Sequence, residues 1–339
     1  MRGNMTEPGK TINDQPVNDL IEQNIFTDAA KKLLERQKET WPILKSGYDS
    51  LSSIKTKRIQ FDGFRFIIQF NPCRYNSTSA KVDDKSINGR NCFLCQKNLP
   101  KEQEEIRLND YILLGNPYPI FPEHFTIASI KHKDQRIHNS FIDLLFFSKL
   151  LSKYYTVFYN GPQCGASAPD HLHFQAGSKH TMPLDDEYGS IKIKFGQLLS
   201  DKNDCGMYFI NDSLRKIISI EGKDDKYITN IFNSFYNKYS AHLGLSEPLM
   251  NIFCLYEEKK GWRVLIMLRA KHRPKEFYYE GSEKILFSPA ACDYGGLCIT
   301  PREKDFNRLD KVLLTNIFNE TSISDLKFQL LKEEMKSII

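Results

Sequence analysis

Gly165-Ala-Ser-Ala-Pro-Asp-His171-Leu-His173-Phe-Gln175 is the stretch on which the fold turns. It alternates apolar and polar residues with a period of two, the pattern of a half-buried strand. Residues two apart in a strand point the same way, so the pattern predicts that His171, His173 and Gln175 share one face. Three such groups in line can hold a phosphate, present a nucleophilic imidazole and bind a metal at one end. Upstream, Tyr159-Asn160-Gly161-Pro162 is turn-forming, and small residues run from Gly165 to Ala168. That sets a backbone-rich loop beside the histidines, able to approach an anionic ligand closely. The bland alternative is a strand with two satisfied histidines. His-x-His is common alone, and much rarer when Gln follows and a Gly/Ser loop precedes.

Outward from this stretch the chain reads as mixed α and β. Residues 1–50 form a polar lead and then an amphipathic helix, with Thr27 or Asp28 as the expected cap. Two alternating runs around Asp62-Gly63, from Ile59 to Phe70, predict a hairpin. Short strands are expected at Tyr111–Leu114 and Phe125–Ile130, flanking Asn116-Pro117-Tyr118-Pro119. A helix over roughly 139–154 leads into a strand at Thr156–Tyr159 and then the loop and the histidines. After about Asp185 the plan loosely recurs. A helix near Tyr227–His242 precedes a hairpin, Met250–Tyr256 with Trp262–Leu268, then a strand within 295–300 and two closing helices from Asp305. No second His-x-His occurs there. The fold class is therefore α+β, an antiparallel sheet with packed helices, in two related halves of which the second is degenerate. The divisions are 1–50, 51–185 and 186–339.

With 339 residues, 40% of them hydrophobic and 12% aromatic, the chain has material for a sizeable core and matches neither disordered nor membrane classes. The longest apolar run, near Phe141–Leu151, is interrupted by Asp143, Ser148 and Lys149, so no membrane span is expected. The N-terminus carries no apolar signal region. Eight cysteines at low density read as reduced thiols in a cytoplasm. A formal charge of +5 suits an anionic small substrate, and no basic aromatic stripe argues for nucleic acid.

Cys92-Phe-Leu-Cys95 is the second strong signal, since a two-residue spacer lets both thiolates reach one tetrahedral ion. A redox couple or two buried thiols are the alternatives, although no thioredoxin-like context surrounds the pair. Arg74 and Lys81 lie just upstream, where they either reach phosphates or face solvent. Arg269-Ala-Lys271-His272-Arg273 concentrates cations after a strand of the second half, a place where an acceptor phosphate could bind. Asp293-Tyr-Gly295-Gly296 reads as a turn without chemistry.

His171-Leu-His173-Phe-Gln175, behind Asn160-Gly161 and Ser167, resembles the active-site strand of the histidine-triad superfamily. It is closest to the transferase branch of galactose-1-phosphate uridylyltransferase, diadenosine tetraphosphate phosphorylase and the GDP-hexose phosphorylases. The resemblance holds from about Ile59 to Gly177. It implies that His173 is the nucleophile, that Gln175 holds the phosphate of the covalent intermediate, and that Ser167 and Asn160 line its oxygens. Asn116 would meet ribose or base, and Gly161 and Arg74 would belong to the nucleotide and phosphate pocket. A structural zinc would sit on Cys92, Cys95, His132 and His171, with His124 as the other candidate for the third ligand.

A nucleophilic imidazole needs its second nitrogen to donate to a fixed acceptor, for which loop carbonyls near Gly161–Gln163 are the expectation. The expected activity is a nucleotidyltransferase or phosphorylase. Its donor would be a nucleotide sugar or dinucleotide, and its acceptor phosphate or a sugar phosphate. A hydrolase passing the same intermediate to water, which Gln175 in the third position disfavours, and a non-catalytic nucleotide-binding protein are the rivals. The expected surroundings are a cytoplasm, without nucleic acid or membrane.

Overall fold

The computed structural model describes residues 25–80 and 82–336. Helix α1 (Ile25–Thr40) begins before the expected cap, so Thr27 and Asp28 lie inside it. Thr27 is buried, and its hydroxyl donates to the Leu150 carbonyl at 3.2 Å. After α2 (Pro42–Asp49), β1 (Lys55–Gln60) and β2 (Arg65–Phe70) form the predicted hairpin, pairing Gln60 with Arg65. Gly63 at φ +93° supplies the left-handed backbone that turn requires. Lys81 lies outside the described residues.

Ten further strands make one continuous sheet. They are β3 (Glu105–Leu108), β4 (Tyr111–Gly115), β5 (His124–Ser129), β6 (Tyr155–Asn160) and β7 (His173–Ser178), then β8 (Gly196–Lys202), β9 (Cys205–Asn211), β10 (Lys216–Gly222), β11 (Met250–Glu257) and β12 (Gly261–Leu268). Helix α3 (Phe141–Leu150) precedes β6, α4 (Pro183–Phe195) links the two groups, and α5 (Asp225–Leu243) precedes β11. The spatial order is β3-β4-β5-β7-β6-β11-β12-β10-β9-β8. Read inward from either edge, both groups show the same order, three strands, then the fifth, then the fourth. They meet where β6 pairs antiparallel with β11, Asn160 opposite Asn251. A strand β13 (Leu297–Thr300) instead lies parallel to β2 in a separate three-stranded sheet. Helices α6 (Ala291–Tyr294), α7 (Glu303–Arg308), α8 (Lys311–Thr321) and α9 (Asp325–Lys336) follow the large sheet, so among the described residues three helices come after β13, where two were expected from Asp305.

Side chains of the large sheet alternate between two cores. Tyr155, Val157 and Tyr159 of β6 and Phe174 and Ala176 of β7 bury with α1, α3 and α5 on one face. Phe158 and Phe253 turn to the other face, against Phe66, Ile68 and Tyr294 beneath the small sheet. Each such aromatic or aliphatic side chain contributes about 1.5–3 kcal/mol by leaving water. The period of two that puts Phe174 into one core puts His173 and Gln175 on the other face, where a cavity opens. His171 is not part of this alternation, because the strand begins at His173. No helix among the described residues is long and apolar enough to cross a membrane.

Candidate active site and metal centre

A cavity of about 610 Å³ is lined by both halves. Asn160, Gly165, Ser167, His173 and Gln175 come from the centre of the sheet and its loop, and His272, Arg273, Ser288, Cys292 and Asp293 from the second half. Phe93, Leu94, Leu114, Asn116, Pro117, Tyr118 and Arg74 also line it.

His173 is almost wholly buried, and its Nδ1 lies 2.8 Å from the His171 carbonyl. A carbonyl only accepts, so Nδ1 carries the proton and Nε2 keeps its lone pair. The acceptor is thus the histidine's own neighbour and not the Gly161–Gln163 carbonyls. Burial pushes the His173 pKa down to about 4, and the His171 carbonyl opposes this. Gln135, unremarked in the sequence, clamps the residue. Its Oε1 accepts from the His173 N–H at 2.7 Å, and its Nε2 donates to the carbonyls of His173 and Asn160, both at 2.9 Å. It stitches β6 to β7 where their ladder has ended.

Gln175 is set by His124. The Ile120 N–H donates to His124 Nδ1 at 3.3 Å, so Nε2 carries the proton and donates to Gln175 Oε1 at 2.9 Å. With its oxygen occupied, Gln175 has its NH2 left as a donor on the cavity side. His124 is fully buried against Phe121 and Phe158, and burial lowers its pKa to about 3, helped by the Arg74 charge and opposed by Gln175. It belongs to this pair and not to the metal cluster.

The loop after β6 lies tight against the second half. Gly165 has φ +96°, and a Cβ there would stand 2.4 Å from Ala290 Cβ. A Cβ on Gly161 would stand 2.8 Å from the Met250 carbonyl. The Ser167 carbonyl accepts from Arg90 Nη2 at 3.2 Å, and the same nitrogen reaches Asp170 Oδ1 at 3.1 Å. Arg74 Nη1 donates to the Tyr118 carbonyl at 2.8 Å, and Asn116 Oδ1 accepts from the Tyr118 N–H at 2.9 Å.

Cys92, Cys95, His132 and His171 converge, with one ligand atom of each within 4.8 Å of all the others. Cys92 Sγ and His171 Nδ1 are 3.2 Å apart, Cys95 Sγ and His132 Nδ1 3.2 Å, and Cys95 Sγ and His171 Nδ1 3.6 Å. Ordinary zinc–sulfur and zinc–nitrogen bonds in a tetrahedron separate such atoms by about 3.5 Å, so the group fits that ion. The Ser129 carbonyl accepts from His171 Nε2 at 2.7 Å, leaving Nδ1 for a metal. Burial lowers the His171 pKa and favours the neutral, ligating form.

Of the second-half cations, Lys271 pairs at the surface with Glu320 at 2.8 Å, away from the cavity lining. Arg273 lies 4.1 Å from the centre of the Phe277 ring and donates to Ser288 Oγ at 3.2 Å and to the Ala80 carbonyl at 2.9 Å. Burial holds His272 near a pKa of about 3, with Arg273 and Arg269 adding to the shift. Asp293 is no mere turn residue. It is buried in the cavity wall, accepts from the Ala290 and Ile299 N–H groups at 2.7 and 2.9 Å, and has its pKa raised by burial to about 7.

Residues 33–178 match the family model described as a domain of unknown function, DUF4922, and residues 230–339 that of the GDPGP1-like C-terminal domain. No curated protein matches the chain. Among solved structures, yeast Ap4A phosphorylase Apa2 in complex with Ap4A aligns with a TM-score of 0.58 at 14% identity, over 87% of this chain and 97% of that one. The same yeast enzyme in complex with AMP gives 0.55 at 16% identity, over 87% and 96%. The chain shares the α+β fold of yeast Ap4A phosphorylase Apa2.

Proposed function

We propose that the protein is a nucleotidyltransferase or phosphorylase working through a nucleotidyl-histidine intermediate. One observation carries this reading: His173, in the cavity wall, has its Nδ1 proton committed to the His171 carbonyl at 2.8 Å and so has Nε2 free to attack. In the first step Nε2 bonds to the α-phosphorus of a nucleotide sugar or dinucleoside polyphosphate. The bond from that phosphorus to the bridging oxygen breaks, and the distal phosphate-bearing part departs. In the second step an oxygen of phosphate or of a sugar phosphate attacks the same phosphorus, and the phosphorus–nitrogen bond breaks. The NH2 groups of Gln175 and Asn160 and the Ser167 hydroxyl supply donors to the phosphoryl oxygens. Asn116, Phe93 and Leu94 receive the nucleoside, and His272 and Arg273 the acceptor. The fold shared with Ap4A phosphorylase supports this chemistry, and Gln175 in the third position favours a phosphate acceptor over water.

In the same reading Cys92, Cys95, His132 and His171 hold a structural zinc. Bound there, the ion would fix His171, whose carbonyl receives the His173 proton. Residues 51–185 form the catalytic half and 186–339 a degenerate counterpart, a division the repeated strand order supports. All eight cysteines are unpaired, which suits a reducing cytoplasm. Initial rates test the function. With ADP-, GDP- and UDP-hexoses and dinucleoside tetraphosphates as donors and phosphate as acceptor, a productive donor gives parallel double-reciprocal lines. Intersecting lines would contradict the covalent route.

A further inference from the structure

Asn160 ends β6 beside the nucleophile, and which way its amide faces decides whether it offers a phosphate a donor or an acceptor. That choice is made in the other half of the molecule. Arg269 is fully buried and can only donate. Its Nη1 reaches Asn251 Oδ1 at 2.7 Å, so the Asn251 NH2 must face away from it. That NH2 has both hydrogens committed, one to Asn160 Oδ1 at 2.8 Å and one to the Cys164 carbonyl at 2.7 Å. The Ala291 N–H, another group that can only donate, meets the same Asn160 oxygen at 2.8 Å. Flipping Asn160 would set its NH2 against two donors. Its oxygen is therefore held inward, and its NH2 has no other partner among the described residues on the cavity side.

We propose that Asn251 and Arg269, in the half without the histidine motif, are positioning residues that hold the Asn160 amide as a hydrogen-bond donor to an anionic phosphoryl group. This rests on the proposed function and adds what the second half does for it. Asn251 also holds the Cys164 carbonyl within the loop between Gly161 and Ser167. The loop and the amide are thus set by one side chain.

Binding is compared by calorimetry for AMP, GMP and UMP and for the matching nucleosides, in the full chain. Asn251→Asp keeps the acceptor that Arg269 needs and removes both donors. We expect it to weaken the monophosphate that the parent binds by about 10-fold or more, as for a lost hydrogen bond to a charged group. The matching nucleoside should change less than about twofold, and in an Asn160→Ala background the same substitution should cost less than about half as much, the remainder coming from the released Cys164 carbonyl. Equal losses for nucleoside and monophosphate, or a full effect without Asn160, would overturn the proposal. Asn251→Ser is the second variant should the aspartate disturb folding, and failure of both to melt cooperatively would reduce Asn251 to a structural pin. If the parent binds none of the three monophosphates, the proposed function falls first.

Discussion

His124 should make the protein acid-sensitive by an amount its burial fixes. It is fully buried as a neutral ring between the Ile120 N–H and Gln175, with its pKa lowered to about 3 from an ordinary 6.5. A histidine lowered in the folded state binds its proton only on unfolding. Its contribution is present above pH 6.5 and is lost as the pH falls from there towards 3. From those two values the loss is about 2 kcal/mol at pH 5 and about 3 kcal/mol at pH 4, against a total of about 5–15 kcal/mol for a domain. The perturbation is His124→Leu, compared with the parent by urea denaturation at pH 7, 6, 5 and 4. At pH 7 the variant pays for lost packing and the lost bond to Gln175. On going to pH 5 the gap between the two proteins should shrink by about 2 kcal/mol, because the variant has no such proton to take up. Other buried histidines titrate in both proteins and cancel. Parallel stability profiles would refute the assignment of a neutral, acceptor-bound His124.

Cys92→Ser should lower zinc from about one ion per chain to a small fraction, read by elemental analysis of protein prepared without added metal; unchanged content would remove Cys92 from the site. Gly165→Ala places a methyl 2.4 Å from Ala290 Cβ at φ +96° and should cost about 2–4 kcal/mol by urea denaturation, whereas a cost under 1 kcal/mol would show that the loop gives way. Arg273→Ala should raise the phosphate KM about 10-fold and leave the rate of labelling by donor nearly unchanged, and equal loss in both steps would place Arg273 outside the acceptor site.

The strands and hairpins that the sequence declared are those whose alternation or turn residues are local. Asp62-Gly63 marks the β1–β2 turn, and the period of two puts His173 and Gln175 on the face opposite Phe174. The same period overreached at His171. Leu172 still joins Phe174 and Ala176 in one core, and its carbonyl still accepts from the Ser129 N–H of β5 at 2.9 Å, but its own N–H turns to the Lys133 carbonyl and His171 turns to the cysteines. Polarity patterns report which side is buried, not which residues are paired. Thr27 resembled a cap because its partner, the Leu150 carbonyl, is 123 positions away. Helix α4 and strands β8 to β10 left no signal that was read, and the edge strand β8 is largely exposed and polar. Gln135, Asp293 and Asn251 were missed for one reason. Each is an ordinary polar residue whose role exists only once distant segments meet.

The central claim is that His173 takes the nucleotidyl group, and intact-mass measurement tests it most directly. With a productive donor and no acceptor, the parent protein should gain the mass of one nucleoside monophosphate. That adduct should be acid-labile and base-stable, as a phosphorus–nitrogen bond is, and should discharge when phosphate or a sugar phosphate is added. His173→Ala should form none while keeping its metal, which would rest on His171 and its three partners. A His173→Ala protein that still consumes donor at the parent rate would contradict the account.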